Sequence, residues 1–469
     1  MENFWDYSVW GFFNLFATLL LSLLAANMMK KNIPALQASL IPTSVLGGGI
    51  LLVIAGFYKM ATGVPFFDTP FFGGNGSDLL EMLTYHTLAL GFIASALKTS
   101  ENKMTKQRTV EIFNTGVTTV STYLLQAVLG FGITLLAAAT VMPDLFPASG
   151  VLLPFGYGQG TGLALNYGGI YQNEYGFVGG KSFGLTVAAL GFLSASLGGV
   201  IHLVLLRRRG LIAAAHAEEG KLQSEEIQSD SEIPMQESID KLTVQVALIA
   251  AAYMLAYVMM DQLGKLLPGM RSVIFGFNFL LGVLSATLIK LLFQLLRRTG
   301  WMKKEYTNNF LLTRACNFFF DIMVVAGIAA IRLEALQRYW AILLVLGLAG
   351  ALATYWYLRL VCKVLFPAYE QEQFLTMYGM LTGTASTGVI LLRELDGEFK
   401  TPAADNMVYQ NFPAIVFGFP MMLLATLAPQ QPGLTMVLLV VVLLAMLALL
   451  FRSVWLAKLR GKTKTGSAE

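Results

Sequence analysis

Charged residues are scarce in this sequence: Asp, Glu, Lys and Arg make up 13% of the 469 residues, whereas 56% are hydrophobic. A soluble domain is usually about a quarter charged, so this composition excludes an ordinary soluble protein and predicts an integral membrane protein. The basic residues stand at the ends of apolar segments and form no stripe, which excludes a nucleic-acid partner and leaves membrane lipid as the expected surrounding.

Reactive side chains and enzyme motifs are few as well. The two cysteines, Cys316 and Cys362, lie in or beside apolar segments, so neither a disulfide framework nor a metal cluster is indicated. The three histidines are far apart in the sequence, and neither an H-E-x-x-H zinc pair nor a G-x-x-x-x-G-K-[ST] phosphate loop occurs. We therefore expect neither enzyme activity nor ATP-driven transport by this chain alone.

Apolar stretches of spanning length recur along the chain and predict an all-α membrane protein. A run of about 20 apolar residues is typical of a transmembrane helix. Eleven such helices are predicted, at residues 9–29, 38–58, 79–98, 113–142, 182–206, 242–267, 272–296, 309–332, 338–365, 406–428 and 434–456. Two further stretches, at about 150–175 and 370–397, are apolar but too rich in glycine to cross as one helix.

Lys and Arg collect in alternate loops, namely after the first, third, fifth, seventh and ninth predicted helices and at the C-terminal end. Because cytoplasmic loops carry an excess of these residues, we expect the N-terminus outside and the C-terminus inside. All of these basic loops fall on one side of the membrane if eleven helices cross it and neither glycine-rich stretch does. Two re-entrant hairpins are therefore predicted, the first entering from outside and the second from inside. The alternative is an ordinary broken spanning helix.

A polar segment rich in Asp and Glu, residues 207–240, predicts a cytoplasmic linker. Residues 1–206 before it and 241–428 after it each hold five predicted helices and one hairpin, and 429–469 adds an extra helix and a basic tail. An odd helix count means that the second half enters the membrane from the opposite side. The sequence therefore predicts an inverted repeat of two five-helix halves.

Each glycine-rich stretch opens with a Tyr-Gly pair, Tyr157-Gly158 in the first and Tyr378-Gly379 in the second. Interrupted helices at corresponding places in two halves point to the binding site of a secondary transporter. Their free N–H groups favour anions, and their free carbonyls favour cations. The alternative is close helix packing through small residues, which is our interpretation of Gly184, Gly191, Ser194 and Gly198 in the fifth helix.

The substrate candidates are the small and polar residues of the two hairpins. They are Gln159, Gly160, Thr161, Gly162, Asn166, Thr382, Gly383, Thr384, Ser386, Thr387 and Arg393. Arg393, at the inner end of the second hairpin, could meet an anion or extend to the membrane interface. Gln126 in the fourth helix is expected to hydrogen-bond between helices.

Ionisable residues at membrane depth are expected to be functional. Asp321 lies in the eighth helix one turn after Asn317, and these oxygens suit Na⁺; Asp321 could instead carry a proton or pair with Arg314. The predicted sodium ligands are Asn317, Asp321, Asn411, Gly158 and Gly379. His86 and Thr87 are further candidates for substrate or ion contact, with hydrogen-bonded packing as the alternative for His86.

The first hairpin resembles a known family. Its Gly158-Gln159-Gly160-Thr161-Gly162 is similar to the Gly-His-Gly-Thr-Gly hairpin motif of the bacterial sodium/glutamate symporters, the ESS family, and a similar Tyr175-Gly176-Phe177 follows. The stretch from Ile33-Pro34 to Gly47-Gly48-Gly49 and the segment from Gly184 to Arg207 also resemble that family. The similarity covers most of residues 10–428 and is concentrated in the first hairpin.

The resemblance implies a sodium-coupled symporter of glutamate or a related acidic amino acid in the bacterial inner membrane. It also implies a homodimer with an elevator-type mechanism and Na⁺ as the coupling ion. The chain departs from the family at Gln159, where the relatives carry His, at the Met377-Tyr378-Gly379 start of the second hairpin, and in its extra helix. The first two departures leave open an uncharged or differently shaped small-molecule substrate. A proton-coupled carrier of another solute and a passive channel are the alternative functions.

Overall fold

The computed structural model describes residues 3–38, 40–98, 106–209, 239–268, 271–276, 278–302, 304–396 and 401–452. Within these ranges the chain is built from helices, and no β-strand occurs. By length and composition, ten of the helices can cross a membrane, which confirms the coarse prediction of an all-α membrane protein. Most of the predicted linker, residues 210–238, lies outside the described residues.

The first half contains five long helices and one interrupted helix. These elements are α1 (Tyr7–Asn32), the short α2 (Pro34–Ala38), α3 (Thr43–Thr62), α4 (Gly76–Leu97), α5 (Lys106–Thr140), α6 (Leu152–Tyr175) and α7 (Gly180–Arg208). Pro42 immediately precedes α3, so the predicted span at 38–58 begins later than expected, at Thr43. The glycine-rich stretch of this half forms α6.

The second half contains more helices, and several of them are short. Its helices are α8 (Lys241–Leu266), α9 (Arg271–Gly276), α10 (Asn278–Arg298), α11 (Asn309–Ala329), α12 (Trp340–Leu365), α13 (Glu370–Thr382), α14 (Ala385–Arg393), α15 (Ala403–Tyr409) and α16 (Asn411–Leu427). The predicted helix at 406–428 is instead divided into α15 and α16, which meet at Gln410. Pro413 has no N–H to donate to the carbonyl of Tyr409, which weakens the helix at this point.

The two halves pack on each other in corresponding pairs. The third long helices, α4 and α11, pack together, and so do the fourth ones, α5 and α12. Likewise α3 packs on α11 and α10 packs on α4, while α1 packs on α3 and α8 packs on α10. Each of these contacts has its counterpart when the two halves are exchanged.

The extra C-terminal helix, α17 (Pro432–Leu450), packs along α5 and α16. Arg452 just beyond it donates a hydrogen bond to Asn114 Oδ1 on α5 at 3.3 Å. The same guanidinium lies over the ring of Phe113, 4.8 Å from its centre. The helix is therefore joined to the bundle mainly through α5.

Helix α6 is interrupted at Gly160, which has φ 80° and ψ −173°. A side chain is strained at such a positive φ, whereas glycine adopts it readily. Phe155 before the break stacks on Tyr167 after it, with ring centres 3.8 Å apart, and Phe146 stacks on Phe177 at 4.8 Å. Both ring pairs join a residue before Gly160 to a residue after it, so the segments before and after the break lie side by side.

The second glycine-rich stretch is interrupted between α13 and α14, at Gly383 and Thr384. A methyl group placed on Gly379 would lie 2.8 Å from the Cα atom of Gly388, so the two backbones touch. Thr384 caps α14, because its hydroxyl accepts a hydrogen bond from the N–H of Thr387 at 3.4 Å. These two segments therefore also lie side by side, on either side of a glycine-containing break.

Helix α7 presents a row of small residues to both interrupted segments. A methyl group on Gly184 would clash with the carbonyl of Ala164 in α6, and one on Gly191 would clash with the carbonyl of Thr382 in α13. Small residues allow helices in an apolar environment to approach this closely. The packing interpretation of these two glycines is confirmed.

Gly184→Ala is expected to destabilise the protein by about 1–3 kcal/mol, because the added methyl group meets the backbone of α6. Gly49→Ala in α3 is the matched control, since nothing lies within 4 Å of a methyl group there. Thermal unfolding of the detergent-solubilised protein, followed by tryptophan fluorescence, should show a lower Tm for the first variant alone. Equal melting temperatures for the two variants would contradict this packing.

Candidate functional site

The two breaks, one from each half, meet inside the bundle. A methyl group placed on Gly160 would lie 3.9 Å from Thr384 Cγ2 and 3.7 Å from Met323 Cε on α11. The hydroxyl of Thr161 donates a hydrogen bond to the carbonyl of Met323 at 3.2 Å. The fold therefore brings Gly160, Thr161 and Thr384 together beside α11. We call this meeting point the tip junction.

Helix α5 holds both breaks in place through two side chains on one face. The hydroxyl of Tyr123 donates to the carbonyl of Gly158 at 3.0 Å, just before the first break. Three residues later, Nε2 of Gln126 donates to the carbonyl of Leu381 at 2.9 Å, just before the second break, and to Thr354 Oγ1 at 2.8 Å. The interhelical role expected for Gln126 is confirmed. Tyr123 was not among the predicted site residues, although it lies about one helical turn before Gln126 and therefore on the same face of α5.

The hydroxyl groups predicted to bind substrate already have protein partners. Thr161 bonds the Met323 carbonyl, and the Thr382 hydroxyl donates to the Tyr378 carbonyl at 2.6 Å. The Thr384 hydroxyl caps α14 and lies 3.3 Å from that of Thr387. These groups shape the tip junction by satisfying its backbone. The side chain of Ser386 lies outside the described residues.

Gln159 differs from these hydroxyls. Both its Oε1 and its Nε2 are buried, and neither has a hydrogen-bond partner among the described residues. Oε1 of Gln126 and Oε1 of Gln410 are likewise buried without a hydrogen-bond partner among the described residues. An unpaired buried polar group costs about 1–3 kcal/mol, so such groups in a folded protein call for an explanation. Among the predicted substrate residues whose side chains the structure describes, Gln159, next to Gly160, has two buried side-chain atoms without a hydrogen-bond partner.

Other predicted substrate residues lie apart from the tip junction. Asn166 donates to the carbonyl of Gly276, at the end of α9, at 2.9 Å. Gly162 packs against Leu88 of α4, and Arg393 is exposed at the far end of α14. Gly383, by contrast, forms the second break itself, and its N–H donates to the Gly379 carbonyl at 3.0 Å. Position along a hairpin therefore does not by itself place a residue at its tip.

The predicted sodium ligands lie in different surroundings. The carbonyls of Gly158 and Gly379 accept hydrogen bonds from Tyr123 and from the N–H of Gly383. The side chains of Asn317, Asp321 and Asn411 are exposed on the surface of the single chain. In the described ranges no group of three or more His, Cys, Asp or Glu side chains could hold a metal ion. A sodium ion can also be held by neutral carbonyl, amide and hydroxyl oxygens, so the sodium prediction stays a prediction.

Asp321 nevertheless lies only two residues from Met323, which contacts the first break. Its carboxylate interacts with the hydroxyl of Ser44 at the start of α3. Arg314, the alternative partner expected for Asp321, instead lies over the ring of Phe310 at 5.0 Å. Asp321 is therefore placed at the contact between α3 and α11, on the helix that also carries Met323.

His86 and Thr87 on α4 have local partners. Nδ1 of His86 lies 2.7 Å from the hydroxyl of Tyr253 on α8, and the Thr87 hydroxyl donates to the carbonyl of Leu83 at 2.6 Å. The His86 side chain is exposed on the single chain. The contact with Tyr253 favours the hydrogen-bonded packing that was the alternative for His86.

A recess in the surface lies at the opposite ends of the helices from the linker. This recess of about 300 Å³ is lined by Asp78, Glu81, Gln172, Gly179, Lys181, Ser182 and Arg332. Lys181 pairs with Glu81 at 2.5 Å, and Arg332 pairs with Asp78 at 3.2 Å. Because these charges are already paired, the recess offers a ligand less unused bonding capacity than the tip junction does.

Tyr123→Phe is expected to lower the Tm, because it removes the hydroxyl that bonds the Gly158 carbonyl. Leaving a buried carbonyl unpaired costs about 1–3 kcal/mol. Tyr257→Phe is the control, since Tyr257 is 57% exposed on α8. Differential scanning fluorimetry of the two purified variants measures the difference, and an unchanged Tm for Tyr123→Phe would show that this bond does not support the first break.

Comparison with known proteins does not assign a family to the chain: no protein-family model matches it, and no curated protein matches it significantly. The resemblance of the first hairpin to the sodium/glutamate symporters therefore remains a resemblance of motif. The function has to be inferred from the geometry of the tip junction.

Proposed function

We propose that the protein is a secondary active transporter that binds its substrate at the tip junction. The observation that carries this proposal is the close approach of interrupted helices from the two halves of the chain, since Thr384 Cγ2 lies 3.9 Å from a methyl group placed on Gly160. Interrupted helices are tolerated in a membrane where they face protein or a wet cavity, and in transporters they form the substrate site. No such arrangement is needed for a purely structural bundle.

Two further observations support an inverted repeat with two re-entrant hairpins. The helix contacts are exchanged in pairs between the halves, as in α3 with α11 and α10 with α4. Nested contacts around Gly160 and around Gly383 bring the two arms of each segment together. With the basic loops on one side, these segments would enter from opposite faces, the N-terminus outside and the C-terminus inside.

We further propose sodium-coupled symport of glutamate or a related small amino-acid or anionic substrate, by an elevator-type mechanism in a homodimer of the bacterial inner membrane. The support is the resemblance of residues 158–162 to the symporter motif. Coupling requires that the ion bind one arrangement of the protein better than the other. Asp321 is suited to this role because it lies on α11, which also contacts the first break. A proton-coupled carrier and a passive channel are the alternatives.

Purified protein in liposomes is expected to accumulate labelled amino acids when an inward Na⁺ gradient is imposed and not when K⁺ replaces Na⁺. Uptake should also be driven by counterflow against unlabelled solute trapped inside, because a carrier alternates between two sides. An inward proton gradient tests the alternative coupling ion. Uptake that ignores every gradient and shows no counterflow would indicate a channel and overturn the proposal.

Asp321→Asn is expected to raise the Na⁺ concentration for half-maximal uptake roughly tenfold or more, because the neutral amide removes the charge attraction to the ion, and tenfold corresponds to about 1.4 kcal/mol. Asp144→Asn is the control, since its side chain is 86% exposed in a loop. Initial uptake rates are measured over a range of Na⁺ concentrations at constant ionic strength. An unchanged Na⁺ dependence of the Asp321 variant would remove the ion role of this residue.

A further inference from the structure

We propose that the Gln159 side chain recognises a neutral carboxamide-like group, so that the end of the solute that meets the tip junction is uncharged. This inference rests on the proposed transport function and, among glutamate and the related small amino acids proposed above, favours the neutral carboxamide members over glutamate itself. It would make the carboxamide amino acids better ligands than the matching acidic ones.

The bonding capacity of Gln159 is the first argument. Its Oε1 accepts hydrogen bonds and its Nε2 donates them, and both atoms are buried without a partner in the described part of the chain. A primary carboxamide has the complementary pair, one acceptor and one donor, and can bond both atoms at once. A carboxylate offers acceptors alone, so it would set an anionic oxygen against Oε1 of Gln159.

The surroundings of Gln159 are the second argument. The hydroxyls of Tyr123, bonded to the carbonyl of the preceding Gly158, and of Thr161 already donate to backbone carbonyls. Gln126 and Gln410, whose Nε2 atoms contact α13, each leave a buried Oε1 without a partner among the described residues. Because the Gln126 Nε2 donates to the Leu381 carbonyl, the orientation of that amide is fixed, and the atom left unpaired is an acceptor.

The charge near the tip junction is the third argument. Residues 150–175 and 370–392, which contain the two breaks, hold no Lys or Arg, and Arg393 lies at the far end of α14. A carboxylate ligand would therefore set its negative oxygens against Oε1 of Gln159 with no cation from either segment to balance its charge. A neutral carboxamide avoids this repulsion and supplies N–H donors to the free oxygens. The arrangement selects against acidic solutes as well as for neutral ones.

Ligand binding to the purified full-length protein in detergent, with Na⁺ present, tests the inference without requiring transport. Thermal shifts are titrated with L-glutamine against L-glutamate and with L-asparagine against L-aspartate. We expect half-maximal stabilisation at a concentration roughly tenfold or more lower for at least one carboxamide than for its acid. An acid that stabilises as well as its carboxamide, or a protein that neither carboxamide stabilises, would overturn the inference.

Two variants test the role of the residue itself. Gln159→Leu should keep its Tm, because no protein hydrogen bond of Gln159 is lost, while carboxamide stabilisation weakens roughly tenfold or more. Gln159→Glu should weaken it similarly, because Nε2 is replaced by an acceptor. Gln430→Glu, at an exposed glutamine, is the matched control and should bind like the wild type. Unchanged carboxamide binding by both Gln159 variants would refute the assignment.

The two proposals can fail separately. Carboxamide binding without gradient-driven uptake would retain the Gln159 inference and overturn the transport function. Gradient-driven uptake restricted to acidic amino acids would retain the transport function and overturn the inference.

Discussion

The satisfaction of backbone groups at two interrupted helices is the constraint on which the rest of this structure depends. An apolar bundle in a membrane offers a broken helix no water, so each freed carbonyl needs a protein partner. Tyr123 and Gln126, one turn apart on α5, each supply a donor to one break. Thr161 and Thr384 bond backbone atoms of α11 and α14 in the same way. Most of the polar side chains named around the breaks are thus already hydrogen-bonded to backbone groups.

These internal hydrogen bonds limit which side chains can contact a ligand. A threonine hydroxyl bonded to a carbonyl is a poor candidate for substrate contact, however suggestive its place in a glycine-rich motif. Gln159 stands out because the backbone does not use it. In the proposed mechanism the hydroxyls and Tyr123 provide a fixed frame, while one amide at the junction provides selectivity. A frame held in advance reduces the conformational entropy that binding must overcome.

Helix α11 connects the two parts of the proposed mechanism. Met323 touches the first break, and Asp321 lies on the same helix at the contact with α3. An ion held by Asp321 would stabilise one position of α11, and the position of α11 sets where Met323 lies relative to Gly160. This is coupling through a packed element that both ligands contact, and it needs no direct contact between ion and solute. The row of glycines on α7 keeps both breaks against one further helix.

The sequence by itself determined the membrane class, most helix positions and the two glycine-rich interruptions, because hydrophobicity and glycine content act locally along the chain. It also indicated which residue types could bind a ligand. Only the tertiary structure decided that Gly160 meets Thr384, that Asn166 bonds Gly276 instead, and that the threonine hydroxyls already have partners. It also divided the predicted helix at 406–428 into two at Gln410. Hydrogen-bond partners distant in sequence depend on how whole helices pack, and no local pattern of residues records that packing.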